Sequence, residues 1–321
     1  MFRQQAFYKM ACLAMLVLAV FLAGCTNQET TDQVEDAVEI PKTRMINTSI
    51  GEIEIPAQPE RIIVDWNIGH VLAVGVTPIG VPHSLLDYGE FMRKPLENTA
   101  DIGNHNQVSL EKMVELEPDL IITWSKDAYE SYSKIAPTVV FVPDEYASME
   151  EEVTAMGEIL NRQTEAKAWN EQFTQRAEAA RKKAQAAVPA GATFTIADFN
   201  WLTNVGIVGK SANRGGKAVY DLLGLTPATK IKQDLIDKGE ESMDISSELF
   251  GEYVGDYLLL MKSENSDKED IPEIWAGMDA MKNNRVYELD IHKYLSADPY
   301  TTIYQAEEIA EKLAAKQTKL E

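Results

Sequence analysis

Cysteine is almost absent from this chain of 321 residues, which contains only Cys12 and Cys25. From Thr26 to the C-terminus there is no thiol, and this excludes disulfide bonds and cysteine-ligated metals in the body of the protein. Histidine is also scarce, and no two of the four form an i, i+4 pair: they are His70, His83, His105 and His292. A site for a bare divalent metal could therefore arise only from residues distant in the sequence.

Basic residues are outnumbered, with 30 Lys and Arg against 51 Asp and Glu and a formal net charge of −21. A surface of this sign repels nucleic acid and anionic lipid, and we exclude both as partners. An acidic excess also keeps a protein soluble, which explains most of the charge. With 45% hydrophobic residues, the chain can build one large or two moderate domains without disulfide bonds.

The common catalytic signatures are missing as well, since no H-E-x-x-H, G-x-S-x-G or G-x-G-x-x-G occurs. Residues 204–211 imitate the end of a phosphate-binding P-loop, but Asn204 stands where that motif requires its first glycine. We find no nucleophile with an oriented base. The sequence therefore predicts a protein without catalytic activity.

The N-terminal segment has the features of an export signal. Arg3 and Lys9 precede an apolar run over residues 11–22, which is too short for a permanent spanning helix. The following Leu-Ala-Gly-Cys25 resembles the lipobox of bacterial lipoproteins, in which the cysteine carries the lipid. This predicts a signal peptide at 1–24, a lipid on Cys25 and a polar, flexible tether over 25–42. The alternative is an ordinary secretory signal with an incidental cysteine.

The body of the chain alternates short apolar runs with helical segments. Runs at 62–64, 79–81, 119–123 and 138–142 read as buried strands, and residues 68–74 and 109–116 as helices between them. This order is typical of a parallel α/β sheet and predicts a first lobe at 43–163.

A long helix is predicted over 164–188, with Thr164 as its cap and Pro189 after its end. At this length it extends about 36 Å, roughly the width of a small domain. Strands at 193–199, 256–261 and 285–290 and a helix at 215–223 follow, so we predict a second α/β lobe at 189–321. The alternative is a surface helix within one domain.

The two halves share a repeat at a constant offset of 137 residues. Ser109-Leu110-Glu111 precedes an apolar run that starts at Asp119, and Ser246-Ser247-Glu248 precedes one that starts at Asp256. We interpret this as one helix-to-strand unit used twice. Chance similarity is the alternative, because Ser and Glu favour any helix start.

Several motifs occur together in a fixed order: P-x-R-I-I-V at 59–64, S-L-E-K-M-V-E-L-E-P-D-L-I-I at 109–122, A-P-T-V-V at 136–140, R-G-G at 214–216, G-D-Y at 255–257 and D-P-Y at 298–300. Together they resemble the ABC-importer substrate-binding proteins that carry ferric siderophores, cobalamin or haem, and among these the Gram-positive receptors for ferric hydroxamates. The resemblance implies an α/β fold of two Rossmann-like lobes with mainly parallel sheets, joined by a single long helix.

The resemblance also implies roles for particular residues. In that class the arginine of R-G-G touches the ligand, which indicates Arg214, although Ala212 departs from the aromatic residue common two positions earlier. Each lobe presents an acidic residue to arginines of the membrane permease, which indicates Glu111 and Glu248. Without that role, each is a carboxylate in the first turn of a helix, where it is favourable to the dipole.

The chemistry of a ferric chelate sets what the site must provide. Ferric ion prefers six oxygens, and a siderophore supplies them all, so no cofactor and no metal ligand from the protein are expected. The cleft then needs aromatic faces and a few hydrogen-bond donors. The candidates are Trp66, Trp124, Trp201 and Tyr294 as aromatic faces, with Lys210 and Arg214 as donors. Each aromatic residue is individually more often core than contact.

We therefore predict a monomeric, extracytoplasmic, lipid-anchored binding protein that delivers a ferric siderophore to an ABC permease. A hydroxamate or citrate-hydroxamate ligand is favoured. Cobalamin or haem is the alternative, and a catecholate siderophore or a divalent metal is less favoured. An enzyme that opens siderophores is a further alternative. A single stiff helix predicts only small closure of the lobes.

Overall fold

Two β-sheets, built from successive halves of the chain, organise this computed structural model. The structure describes residues 42–198, 204–210, 213–262 and 273–317. The predicted signal peptide at 1–24, the lipidation site Cys25 and all of the predicted tether except Lys42 lie outside these residues. From Lys42 onward the chain forms one compact unit. Among the described residues, no helix combines the length and the apolar character needed to cross a bilayer.

The first sheet has five strands in the order β5-β4-β3-β8-β9, and all of its pairs are parallel. Four of its strands are fully buried and almost wholly apolar, as expected for a sheet covered on both faces. The strands of this half are β1 (Thr43–Thr48), β2 (Gly51–Pro56), β3 (Ile62–Val64), β4 (Gly80–Val81), β5 (Ala100–Asp101), β6 (Gly103–Asn104), β7 (Gln107–Val108), β8 (Leu120–Thr123) and β9 (Thr138–Val140).

Helices connect these strands, and two outer hairpins, β1-β2 and β6-β7, complete the half. The α-helices are α1 (Ile68–Ala73), α2 (Leu110–Glu115), α3 (Tyr129–Tyr132) and α4 (Met149–Leu160). Short 3-10 helices lie at His83–Asp87, Glu90–Met92 and Pro143–Glu145. Arg44 fixes the first hairpin to the end of α4 by donating to the carbonyl oxygens of Glu158 and Ile159, both at 2.7 Å.

The second sheet has the order β13-β11-β10-β14-β15, with β12 paired to β10. Its strands are β10 (Thr193–Asp198), β11 (Asn204–Val208), β12 (Thr226–Pro227), β13 (Ser242–Ser246), β14 (Tyr257–Lys262) and β15 (Val286–Asp290). Its helices are α6 (Thr229–Asp234), α7 (Asp279–Lys282) and α8 (Pro299–Gln317), with a π-helix at Lys217–Leu222 and 3-10 helices at Ile236–Lys238, Phe250–Glu252, Glu273–Gly277 and Ile291–Lys293.

The second sheet is mixed rather than wholly parallel. Strand β10 pairs in parallel with β12 and β14, and β14 in parallel with β15. Strand β11 is antiparallel to both β10 and β13. The physical reason is chain length, because residues 199–203 are too few for the crossover that a parallel neighbour requires.

The long helix α5 (Gln163–Ala186) links the two halves in sequence and has 24 residues. It begins at Gln163, so Thr164 lies inside the helix and the predicted cap is wrong. Its buried side chains follow helical spacing and are small or apolar: Ala166, Phe173, Ala177, Ala180 and Ala184. Arg176 of α5 donates to both carboxylate oxygens of Glu307 on α8, at 2.7 and 2.6 Å. The predicted lobe limits at 163/164 and 188/189 stay predictions.

The internal repeat has a structural counterpart at its aspartates. The Asp119 carboxylate accepts hydrogen bonds from the backbone N–H groups of Glu60 and Arg61, at 2.8 and 2.9 Å, where the chain enters β3. The Asp256 carboxylate accepts one from the N–H of Thr193, at 2.8 Å, where the chain enters β10. In each half, the aspartate that precedes one strand, β8 or β14, therefore fixes the start of the parallel strand beside it, β3 or β10.

The serines of the repeat behave differently in the two halves. Ser109 caps α2, since its Oγ accepts from the N–H of Lys112 at 3.3 Å. Ser246 is instead the last residue of β13, paired with Asn204 of β11, and the 3-10 helix starts only at Phe250. The predicted helix start at Ser246 is therefore wrong, because strand pairing overrides the local preference for a cap.

Candidate ligand-binding cleft

A cavity of about 210 Å³ is enclosed between the two halves of the chain. Its lining from the first half is Trp66, Asn67, His70, Leu85, Tyr88, Met92, Pro143 and Glu152. Its lining from the second half is Asn213, Lys217, Leu295, Ser296, Ala297 and Asp298. Trp66 follows the carboxyl end of β3, the edge where ligands bind in open α/β sheets. The cavity thus lies where the predicted cleft is expected.

Four aromatic rings form a cluster at the border of this cavity. The indole of Trp66 lies 5.5 Å from that of Trp124 and 5.7 Å from the imidazole of His105, between ring centroids. The ring of Tyr88 lies 5.3 Å from His105 and 6.5 Å from Trp66. The two tryptophans are 40% and 51% exposed. Such exposure is unusual for paired indoles and provides apolar faces for a ligand.

The two tryptophans are brought together because Trp124 directly follows β8, and Trp66 comes two residues after the end of β3, the parallel strand beside it. Beneath them, the Thr123 hydroxyl donates to the Asp65 carboxylate at 2.7 Å, and both side chains are buried. Burial raises the pKa of Asp65 to about 6, although the hydrogen bond from Thr123 opposes that shift. Sequence reasoning found Trp66 and Trp124 but missed Tyr88 and His105, which lie in irregular segments without a pattern.

Backbone geometry explains the two glycines of the R-G-G segment. Arg214 and Gly215 both have left-handed φ angles, 60° and 84°. A Cβ on Gly215 would lie 3.2 Å from Met261 and Tyr294, and one on Gly216 would lie 2.2 Å from the carbonyl oxygen of Gly209. Only glycine fits the second of these positions. The turn therefore fixes the backbone from which the Arg214 side chain leaves.

The Arg214 guanidinium is held close to the end of β10. Its Nη1 lies 3.2 Å from Oδ2 of Asp198, and the side chain is 22% exposed. It passes over Gly206, where an added Cβ would lie 3.3 Å from Nη1. A guanidinium has five N–H donors, so others remain for a ligand.

Two predicted contacts are placed elsewhere. Tyr294 is 0% exposed and packs beneath Gly215, so it supports the R-G-G turn and has no surface for direct contact with a ligand. This burial raises its pKa well above the usual range for tyrosine. The Lys210 side chain is 53% exposed, and its ammonium pairs with Asp221 at 2.9 Å. Like Arg214 and Trp124, Lys210 is not among the residues that line the cavity. The third predicted aromatic, Trp201, lies outside the described residues.

Lys217 is a cavity residue that sequence reasoning missed. It begins the π-helix directly after R-G-G, and within the described part of the chain its ammonium forms no ion pair. The only sequence signal is its place next to R-G-G, where a helix start could present a cation to a ligand.

A buried hydrogen-bonded pair forms part of the cavity wall. His70 Nε2 on α1 lies 2.7 Å from Oε2 of Glu152 on α4, with both side chains almost fully buried. Nδ1 of His70 has no hydrogen-bond partner among the described residues. No group of three or more His, Cys, Asp or Glu side chains in the described ranges could hold a metal ion.

The two predicted docking glutamates are exposed, each beside an exposed leucine. Glu111 lies in the first turn of α2 next to Leu110, and Glu248 lies in the turn after β13 next to Leu249. Hydrogen bonds from its own backbone N–H and from Ser246 lower the pKa of Glu248, so it is ionised at neutral pH.

Comparisons with known proteins agree with this geometry. A family model described as "Periplasmic binding protein" matches residues 62–291. The iron(3+)-hydroxamate-binding protein YxeB of Bacillus subtilis is 32% identical over 306 residues, which cover 93% of this chain and 94% of YxeB. The iron(3+)-hydroxamate-binding protein FhuD of the same organism is 28% identical over 312 residues, 94% of this chain and 96% of FhuD.

Solved structures share the fold. A FhuD fold-family protein of Bacillus subtilis, titled a periplasmic binding protein component of a Fep/Fec-like ferrichrome ABC transporter, superposes with a TM-score of 0.75. It is 28% identical and covers 84% of this chain and 99% of its own. FhuD2 of Staphylococcus aureus with bound ferrioxamine B superposes with a TM-score of 0.70 over 81% of this chain and 100% of its own. At 23% identity, it shows the fold alone.

Proposed function

Because the chain belongs to the periplasmic binding protein family, we propose that it binds one ferric siderophore, of hydroxamate or citrate-hydroxamate type, in the cleft between its lobes. One observation carries this proposal. Trp66 and Trp124 are 40% and 51% exposed, with ring centroids 5.5 Å apart, at the border of a cavity whose other wall comes from the second half of the chain. The names of YxeB and FhuD, as iron(3+)-hydroxamate-binding proteins, support the same ligand class.

The residues present suit a chelate rather than bare iron. The chelator supplies the oxygens that ferric ion prefers, and the protein contributes apolar faces and donors. Trp66, Trp124 and, by sequence, Trp201 are the aromatic contacts that we propose. Arg214 and Lys217 are the donors to the chelating oxygens. The protein then needs no catalytic group and releases its ligand unaltered.

Charge favours hydroxamates over catecholates. Three hydroxamates leave a ferric complex uncharged, whereas three catecholates leave it strongly anionic and demand several cations nearby. Arg214 is paired with Asp198, and Lys210 with Asp221, so little positive charge is left over at this edge. Cobalamin or haem remains the second candidate, because the exposed indoles would also stack on a flat macrocycle.

Tryptophan fluorescence tests the ligand class, since the three proposed aromatic contacts are tryptophans. The soluble chain from residue 26 is titrated with a ferric trihydroxamate, a ferric tricatecholate, haem and cobalamin. We expect saturable quenching by the trihydroxamate at one equivalent, and the same quenching in Trp169→Phe, whose indole packs on Phe173 of α5. Saturable quenching by haem or cobalamin alone would instead identify the second candidate as the ligand. Loss of intact chelator on long incubation would indicate an enzyme.

We propose further that the mature protein is a monomer anchored outside the cell by a lipid on Cys25, with residues 25–42 as tether. In this proposal Glu111 and Glu248 pair with arginines of an ABC permease, and each adjacent leucine packs beside the ion pair. The anchor is tested by metabolic labelling with a radioactive fatty acid, which the unmodified protein should incorporate and Cys25→Ser should not. Equal labelling of the two proteins would contradict it.

A further inference from the structure

Asp198 is fixed in place at the end of the central strand of the second sheet. It is paired with Gly206 of β11 on one side and with Met261 of β14 on the other. Its side chain is buried, and its Oδ2 lies 3.2 Å from Nη1 of Arg214. The carboxylate therefore cannot leave the guanidinium by a simple rotation into solvent.

The guanidinium is equally constrained. The left-handed turn at Arg214 and Gly215 fixes its backbone, and Tyr294 packs behind that turn. Gly206 leaves the space through which the side chain reaches Asp198, since an added Cβ would lie 3.3 Å from Nη1. Arg214 is thus fixed at both ends before any ligand arrives.

The pairing with Asp198 changes the net charge of Arg214 but not its capacity to donate hydrogen bonds. The guanidinium keeps N–H donors for chelating oxygens, while the adjacent carboxylate cancels its net charge. In a medium less polar than water a charge is screened less and interacts more strongly, so the cancellation matters most for a ligand seated in the cleft.

We propose that Asp198 is a specificity-determining residue, which makes the cleft prefer uncharged ferric chelates to anionic ones by neutralising Arg214. The inference rests on the proposed function and narrows it. Among hydroxamate siderophores it favours uncharged trihydroxamates over citrate-hydroxamates, whose citrate carboxylate makes the ferric complex anionic. Lys217 then supplies a single cation, enough to orient a chelate without selecting for strong negative charge.

The test is the ratio of two affinities, measured by calorimetry on the soluble chain from residue 26. The probes are an uncharged ferric trihydroxamate and an anionic ferric citrate-dihydroxamate. Asp198→Asn keeps the shape and removes the charge, and we expect the ratio to shift at least about tenfold towards the anionic chelate, or about 1.4 kcal/mol. A merely structural role would weaken both chelates alike, and an unchanged ratio would overturn the proposal.

Three further variants complete the design. Arg214→Gln leaves the Asp198 carboxylate unbalanced, so the ratio must shift in the opposite direction. The double variant Arg214→Gln with Asp198→Asn removes both charges and must bring the ratio back towards that of the unmodified chain; a ratio equal to that of Arg214→Gln alone would overturn the proposal even if Asp198→Asn does not fold. Asp234→Asn removes a carboxylate that pairs with Lys238 at 3.1 Å, outside the cavity lining, and must leave the ratio unchanged. A shift in this control as large as in Asp198→Asn would also overturn the proposal.

These measurements distinguish a failure of the proposed function from a failure of the role proposed for Asp198. If the unmodified chain binds no ferric chelate at all, the proposed function fails. If it binds the trihydroxamate while Asp198→Asn leaves the ratio unchanged, only the role of Asp198 fails.

Discussion

Gly69 of α1 lies against the carboxylate of Asp298, so closely that a Cβ on Gly69 would come within 1.7 Å of Oδ1. That carboxylate cannot easily move, because its Oδ1 accepts from the N–H of Thr301 at 2.9 Å and its Oδ2 accepts from the Ser296 hydroxyl. Gly69 follows β3 of the first sheet, whereas Asp298 follows β15 of the second. The contact therefore joins the two halves at the wall of the cavity.

Gly69→Ala should destabilise the protein by about 1 to 3 kcal/mol, the usual cost of overpacking. The reason is that either α1 or the start of α8 must shift. Urea unfolding measures the loss. Gly277→Ala is the matched control, because no atom lies within 4 Å of its added Cβ, and it should be neutral or slightly stabilising. Equal stability of the two variants would contradict the tight contact.

Arg214→Ala should weaken binding of a ferric trihydroxamate by roughly 1.5 to 3 kcal/mol, the range for a hydrogen bond to a charged donor. Calorimetry gives the affinity, and thermal unfolding shows whether the fold is retained. Lys210→Ala should have a much smaller effect, since its side chain is 53% exposed against 22% for Arg214 and its ammonium pairs with Asp221. An unchanged affinity in Arg214→Ala would remove that residue from the site.

Asp65→Asn should stabilise the protein at neutral pH. The carboxyl group titrates near 3.8 when unfolded and at about 6 when folded. Between these values the folded state holds a proton that the unfolded state has released, so this group makes stability fall as pH rises. The advantage of the variant should grow from near zero below about pH 4 to about 3 kcal/mol above about pH 6. A difference independent of pH, measured by urea unfolding, would contradict the shifted pKa.

Joint replacement of Glu111 and Glu248 by alanine should abolish uptake of labelled iron chelate by cells while leaving ligand affinity intact. The reason is that both carboxylates are exposed, one at the start of α2 and one after β13, and neither lines the cavity. Glu97→Ala with Glu240→Ala, two other exposed glutamates, is the matched control. Normal uptake by the first pair would defeat the docking assignment.

The fold was largely predictable because its signals are local. The runs Ile62–Val64, Leu120–Thr123 and Thr138–Val140 are buried and apolar except for one threonine in each of the last two, as expected for a sheet covered on both faces. The antiparallel course of β11 was missed, although the five residues between β10 and β11 already forbid a crossover. The end of β13 at Ser246 could not be predicted, because its pairing with Asn204 is a tertiary contact.

The site was predictable only in part. Trp66 and Trp124 lie within two residues of strand ends, and R-G-G indicates a turn that only glycine can complete. Whether an aromatic residue near such an edge faces the cleft or the core depends on what packs behind it, and Tyr294 faces the core. The partnership of Asp198 with Arg214 also needs the register of β10 with β11, which no sequence pattern reports.

Equilibrium dialysis bears most directly on the central claim, that the cleft binds iron already held by an organic chelator. The soluble chain from residue 26 is dialysed against a ferric trihydroxamate with iron and chelator separately labelled, and in parallel against bare ferric ion. We predict one iron and one chelator retained per chain, and no saturable retention of bare iron. Retention of bare iron, or of neither label, would contradict the claim.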